Sequence, residues 1–135
     1  MKQAATLRHA APALRVYLVE DSPVVRERLE TMVTGVAGAR MVGSATRADD
    51  AIRGILAEHP DVVVLDLKLE QGSGFDVLRA VHDADPSIDV YMLSNFAAEP
   101  YRRLAERLGA REFFDKSNEI ERVRDVLVAR SAPTN

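Results

Sequence analysis

The chain has 135 residues, an apolar share of 47%, a charged share of 29% and a formal charge of −3, ordinary values for a single globular domain. This mild acidity gives no general attraction to nucleic acid or an anionic membrane, and without cysteine neither a disulfide framework nor a thiolate metal site can form. No apolar run approaches the roughly 20 residues that span a bilayer, so the expectation is a cytoplasmic protein with no membrane contact.

Residues 1–13 contain Lys2, Arg8 and His9 but no sustained apolar core, and read as an N-terminal tail rather than a signal peptide. Val16-Tyr17-Leu18-Val19 is the first strand run, leading into Glu20-Asp21. Ser22 then offers an N-cap and Pro23 a first helical position, with Val25, Leu29, Met32 and Val36 at helical spacing until Gly35 and Gly38 end the segment. Met41-Val42-Gly43 is the second and weakest strand, and a helix follows from about Arg47 with Ile52, Ile55 and Leu56 inward, closed by His59-Pro60.

Val62-Val63-Val64-Leu65 leads into Asp66, and a loop containing Gly72-Ser73-Gly74 leads to a helix carrying Val77, Leu78 and Val81. Asp85-Pro86 breaks the chain before Val90-Tyr91-Met92-Leu93, which leads into Ser94. Tyr101, Leu104 and Leu108 mark the fourth helix, with Pro100 in its first turn. Phe113-Phe114 lies in the last strand just before Lys116, Ile120, Val123 and Leu127 stripe the last helix, and residues 131–135 read as a second tail. Short apolar strands alternating with helices predict a doubly wound α/β domain over residues 14–130.

In an open α/β sheet the ligand site lies outside the carboxyl ends of the strands. The pattern therefore brings Glu20, Asp21, Asp66, Ser94 and Lys116 to one rim. Crowded carboxylates repel and raise one another's pKa. A divalent cation resolves that conflict, and an oxygen-rich set suits Mg²⁺. Asp66 could then attack a phosphoryl group in line to form an acyl phosphate, with Lys116 and the Ser94 hydroxyl stabilising the phosphoryl oxygens. Singly, each residue has a plainer reading. Asp66 could end a strand in a turn, Glu20-Asp21 could cap a helix electrostatically, and Ser94-Asn95 could be turn residues. Arg102, Arg103 and Arg107 read as a solvated basic face, and His9, His59 and His82 are too scattered to be ligands.

Leu18-Val19-Glu20-Asp21-Ser22, Val64-Leu65-Asp66, Gly74, Met92-Leu93-Ser94, Gly109-Ala110 and Phe113-Phe114-Asp115-Lys116, in this order and spacing, resemble the receiver domain of bacterial two-component response regulators, here of the single-domain kind. The resemblance implies a flavodoxin-like (βα)5 sandwich with a five-stranded parallel sheet of order 2-1-3-4-5. It implies that Asp66 accepts a phosphoryl group from a phosphohistidine on a sensor histidine kinase or histidine phosphotransfer protein. Asp21, Asp66 and the backbone carbonyl of Lys68 would bind Mg²⁺ directly, with Glu20 acting mainly through a water. Ser94 and Lys116 would contact the phosphoryl group, and Ser94 with Phe113 would form the switch.

On this reading the chain is no turnover enzyme, although it catalyses its own phosphorylation and dephosphorylation. Its output is a downstream protein target, expected on the last two helices and last strand, with dimerisation left open. Too few residues follow Lys116 for an output domain, so direct DNA binding is not expected. One rival is a pseudo-receiver scaffold that is never phosphorylated, against which the intact acidic cluster argues. The other is an aspartyl-phosphate hydrolase of the haloacid dehalogenase type, which needs an Asp where this chain has Lys68.

Five positions depart from the common family pattern. Glu20 stands for Asp, Glu70 for a loop proline, Phe113 for Tyr, Asn95 for Ala, and Ser117 for the proline after the lysine. The expectations are a looser loop at Glu70, a Phe113 whose states differ by packing alone, and an Asn95 that crowds the site. The Lys116-Ser117 bond should be trans, because a cis bond without proline costs about 2.5–4 kcal/mol.

Overall fold

The computed structural model describes residues 12–131. Five strands, β1 (Leu14–Val19), β2 (Ala39–Ala45), β3 (Val62–Leu65), β4 (Asp89–Ser94) and β5 (Glu112–Asp115), alternate with α1 (Pro23–Thr34), α2 (Ala48–Glu58), α3 (Gly74–Ala84), α4 (Glu99–Leu108) and α5 (Glu121–Ser131). All strand pairs are parallel and the order is β2-β1-β3-β4-β5, as the resemblance implies. Most of the tail expected at residues 1–13 lies outside the described residues. Ser131, placed in the expected C-terminal tail, instead closes α5, its hydroxyl donating to Leu127 O at 2.6 Å, and residues 132–135 lie outside the described residues. No helix among the described residues is long and apolar enough to cross a membrane.

The sheet is apolar on both faces because its strands alternate two buried rows. Val16, Leu18, Val62, Val64, Tyr91, Leu93 and Phe114 face α1 and α5, packing on Leu29, Val33, Val123 and Leu127. Tyr17, Val19, Val63, Leu65, Val90, Met92 and Phe113 face α2, α3 and α4, packing on Ala51, Ile55, Val77, Leu78, Val81 and Ala105. The crossovers from β1 and β3 thus leave on opposite faces, which opens a crevice between the ends of these adjacent strands. That crevice is where the site sits.

Local chemistry sets the helix starts. The Ser22 hydroxyl accepts from Val25 N at 3.3 Å and Ser73 accepts from Phe75 N at 3.0 Å, each satisfying a donor that the first helical turn leaves without a partner. Tyr101, Leu104 and Leu108 all lie in α4, as the sequence reading has it. Tyr101 is 41% exposed, its ring edge-on to Phe96, and Ala105 takes the fully buried position. Leu104 and Leu108 are only half-buried.

Tyr17 makes an unusual demand on its neighbours. Its ring lies against Gly43 of β2 and Gly54 of α2, and a Cβ added at Gly54 would fall on the Tyr17 hydroxyl and within 2.9 Å of its Cζ. Gly54→Ala normally favours a helix interior by about 1 kcal/mol. Here overpacking reverses the sign, with an expected net loss of about 1–3 kcal/mol. Urea denaturation midpoints check this, and Tyr17→Phe in the same background should recover part of the loss; a stabilised Gly54→Ala variant would show that the ring has room to move.

Candidate functional site

Glu20 and Asp21 follow β1, Asp66 follows β3, Ser94 ends β4 and Lys116 follows β5. The backbone joins these ends: Asp66 N donates to Val19 O at 2.9 Å and Lys116 N donates to Ser94 O at 3.0 Å. A carboxylate oxygen from each of Glu20, Asp21 and Asp66 falls within 4.8 Å of the others. The Lys116 ammonium lies 2.9 Å from both Glu20 Oε1 and Asp66 Oδ2. These four side chains line an open cleft of about 330 Å³ together with Ser22, Lys68, Asn95 and Phe96.

Gly74 lets this floor form. A Cβ there would lie 2.8 Å from Leu67 Cα and overlap the Asp66 carbonyl, while Gly74 N donates to Leu67 O at 2.7 Å. The start of α3 thus rests directly on the segment that presents Asp66, a close approach only glycine permits.

Burial governs the electrostatics. Glu20 and Asp66 are 2% and 6% exposed. Desolvation pushes both carboxyls above the ordinary range, and the Lys116 hydrogen bonds pull against it without cancelling it. Burial would lower Lys116, but its hydrogen bonds to Glu20 and Asp66 outweigh that and raise its pKa. Three carboxylates against one ammonium leave two negative charges uncompensated. Oxygen donors that are crowded, partly dry and under-neutralised are a fitting set for a hard divalent cation.

Ser94 stands apart from this group. It is fully buried, its Oγ accepts the Phe96 amide at 3.0 Å, and it does not line the cleft. Alternation explains this: Ser94 continues the Val90–Met92 row toward α3 and α4, whereas Asp66 continues the Val62–Val64 row on the other face. Phe113 is in the same layer as Ser94, 9% exposed and packed inward.

The positions that depart from the family pattern have partners. Ser117 donates its hydroxyl to Asn95 Oδ1 at 3.2 Å, so two unusual residues join the loops that follow β4 and β5. Asn95 does line the cleft. Glu70 is not in a loose loop: its amide donates to Thr46 O at 3.3 Å and its carboxylate accepts the Thr46 hydroxyl at 3.0 Å. No cis peptide bond occurs among the described residues, so Lys116-Ser117 is trans as expected.

Sequence reasoning missed the contacts of Arg102, whose side chain, beside Arg103, is 35% exposed. Its Nε donates to Ala97 O at 2.8 Å, its Nη1 donates to Phe113 O at 2.7 Å, and its guanidinium carbon lies 5.3 Å from the Phe113 ring centroid. The inward Phe113 is therefore held by a cation over its face as well as by packing. Backbone carbonyls carry no residue signature, so no sequence signal could have found these acceptors.

The response regulator receiver domain family model matches residues 16–128. A protein-glutamate methylesterase/protein-glutamine glutaminase of Geobacter sulfurreducens is 32% identical over 119 residues, covering 84% of this chain but 32% of that protein. The chain thus spans about a third of that relative and half of a second, the probable C4-dicarboxylate response regulator DctR of Bacillus subtilis, at 27% identity. Chemotaxis protein CheY of Thermotoga maritima is 26% identical over 84% of this chain and 93% of its own length. The crystal structure of the CheX-CheY-BeF3-Mg+2 complex from Borrelia burgdorferi has a TM-score of 0.76 at 23% identity, covering 87% of this chain and 91% of that one, and shares the fold.

The raised carboxyl pKa of Asp66 predicts a pH dependence of stability. Between the ordinary carboxylate range and the raised value, the folded chain holds more protons than the unfolded chain. Stability of the metal-free protein therefore falls as pH rises through that window. Asp66→Asn removes this burden, so in EDTA its Tm should exceed wild type at neutral pH and depend less on pH. A gain of about 1 kcal/mol corresponds to roughly 3–5 °C; thermal unfolding from acidic to neutral pH checks it, and a lower Tm for Asp66→Asn would mean that the Lys116 pairing dominates.

Proposed function

The chain belongs to the response regulator receiver domain family, and we propose that Asp66 is its phosphoacceptor, taking the phosphoryl group of a phosphohistidine on a sensor histidine kinase or histidine phosphotransfer protein. The observation that carries this reading is the joining of Glu20, Asp21, Asp66 and Lys116 in one cleft from strand ends distant in sequence. In the transfer, an Asp66 carboxylate oxygen forms the new P–O bond as the P–N bond to the donor imidazole breaks, and the imidazole leaves neutral, keeping the proton already on its other ring nitrogen. Lys116 stands beside Asp66, where its ammonium faces the charge gathering on the phosphoryl oxygens. The hydroxyl of Ser94 would add a hydrogen bond on the far side once it exchanged the Phe96 amide for the phosphoryl group.

Glu20, Asp21, Asp66 and the Lys68 backbone carbonyl would hold Mg²⁺. Bound there, the ion would neutralise phosphoryl and carboxylate oxygens together. The chain's own part is to hold the acidic groups together and half dry before any ion arrives, so that little rearrangement is needed. Movement of Ser94, with the Phe113 layer behind it, would then report phosphorylation as a population shift between two packings. The reported surface would be α4, β5 and α5, meeting a downstream protein target in the cytoplasm. Self-catalysed gain and loss of the phosphoryl group, rather than turnover of a small substrate, would be its chemistry.

Acetyl phosphate with Mg²⁺ should add one phosphoryl group, read by intact mass. Asp66→Asn should stay unmodified, EDTA should abolish the addition, and Lys116→Met should slow it on the order of 100-fold. Modification of Asp66→Asn to the same extent would move the acceptor elsewhere, and no modification of wild type would leave a binding scaffold.

A further inference from the structure

β5 is the edge strand of the sheet, so its outward backbone groups have no strand partner. The Phe113 carbonyl is one of them, and Arg102 of α4 fills the place with Nη1 at 2.7 Å. The same guanidinium reaches two further elements. Its Nε donates to Ala97 O at 2.8 Å in the loop between β4 and α4, and its Nη2 lies 3.4 Å from Glu119 Oε1, which also accepts the Asp115 amide at 2.8 Å. One side chain thus binds the loop that leaves Ser94 to the strand and loop that carry Phe113 and Lys116. The planar fork suits this bridging in a way a single ammonium cannot match.

Resting on the phosphoacceptor reading above, we propose that Arg102 is a positioning residue that holds the β4–α4 loop in the arrangement seen here, with the Ser94 hydroxyl turned to the Phe96 amide, and so limits how readily Ser94 reaches a phosphoryl group on Asp66. Ser94 cannot serve the cleft while its Oγ accepts Phe96 N and its side chain lies in the buried Phe113 layer. Bringing it across requires the loop to shift, and the Ala97 carbonyl is the loop's tie to Arg102. The state seen here keeps every Arg102 contact. A state with Ser94 in the cleft gives up at least one. Removing the tie therefore raises the population of the competent state, and apparent affinity for a phosphoryl mimic rises with that population.

The test is titration of the full chain with beryllofluoride and Mg²⁺, with amide NMR of Ser94, Phe96 and Lys116 as a second readout. Arg102→Met keeps the stem and loses the donors; it should bind the mimic about 10-fold more tightly, with the Ser94 and Phe96 amides already displaced toward their bound positions before any ligand is added. Arg102→Lys, which can reach one acceptor at a time, should fall between. A residue that only supported the fold would instead lower Tm and weaken the mimic. Unchanged or weaker binding in folded Arg102→Met overturns the proposal, and if that variant does not fold, Arg102→Lys binding no tighter than wild type does the same. Failure of wild type itself to bind beryllofluoride would overturn the phosphoacceptor reading and this proposal with it, whereas normal wild-type binding with an inert Arg102 overturns the proposal alone.

Discussion

The Lys116 ammonium lies between Glu20 and Asp66, 2.9 Å from an oxygen of each, and this contact ties the edge strand β5 to β1 and β3. The carboxylates need it because both are nearly buried and Asp21 adds a third negative charge within 4.8 Å. Without the lysine the cleft would hold three like charges at partial burial, a costly arrangement. With it, the cost is reduced but not removed, and burial still holds both carboxyls above the ordinary range. The site is therefore a poised deficit of positive charge. Its shape follows from the fold, since β1 and β3 are neighbours whose crossovers depart on opposite faces.

The two halves of the cleft differ in how firmly they are held. Glu20 and Asp66 emerge from β1 and β3, which have strand neighbours on both sides and apolar layers on both faces. Lys116 follows the four-residue β5 at the sheet edge, and Ser94 ends β4, the inner strand beside it. There the loops are joined by single contacts: Lys116 N to Ser94 O, Ser117 Oγ to Asn95 Oδ1, and the Arg102 fork. On the reading proposed above, a floor set in β1 and β3 with a more lightly tied wall beside it would suit a switch that binds first and changes shape afterwards.

Much of this was legible in the amino-acid order. Runs such as Val62-Val63-Val64-Leu65 are too short and too apolar to be anything but buried strands between helices, so strand ends, and hence Glu20, Asp21, Asp66 and Lys116, could be placed on one rim. The sandwich and its strand order followed from the family resemblance and are observed. What escaped was of two kinds. The direction of Ser94 was available in principle, because the period of two carries it onto the Met92 row and away from the Asp66 row; treating every strand-end residue alike concealed it. The Arg102 contacts were not available, because their acceptors are the backbone carbonyls of Ala97 and Phe113.

The departures from the common pattern make sense as one adjustment rather than several. The chain has Ser117 and Phe113 where the family pattern more often has proline and tyrosine. Here the Ser117 hydroxyl donates to Asn95, and the Arg102 guanidinium lies over the Phe113 ring while donating to its carbonyl. Both rest on side-chain hydrogen bonds, one to the Asn95 side chain and one to the Phe113 carbonyl of β5, individually weak and breakable without unfolding a strand. The consequence is an edge whose loops are held in part by polar ties. If Asp66 takes the phosphoryl group as proposed, that group would bring hydrogen-bond acceptors to the cleft, the same kind of interaction that holds the arrangement seen here.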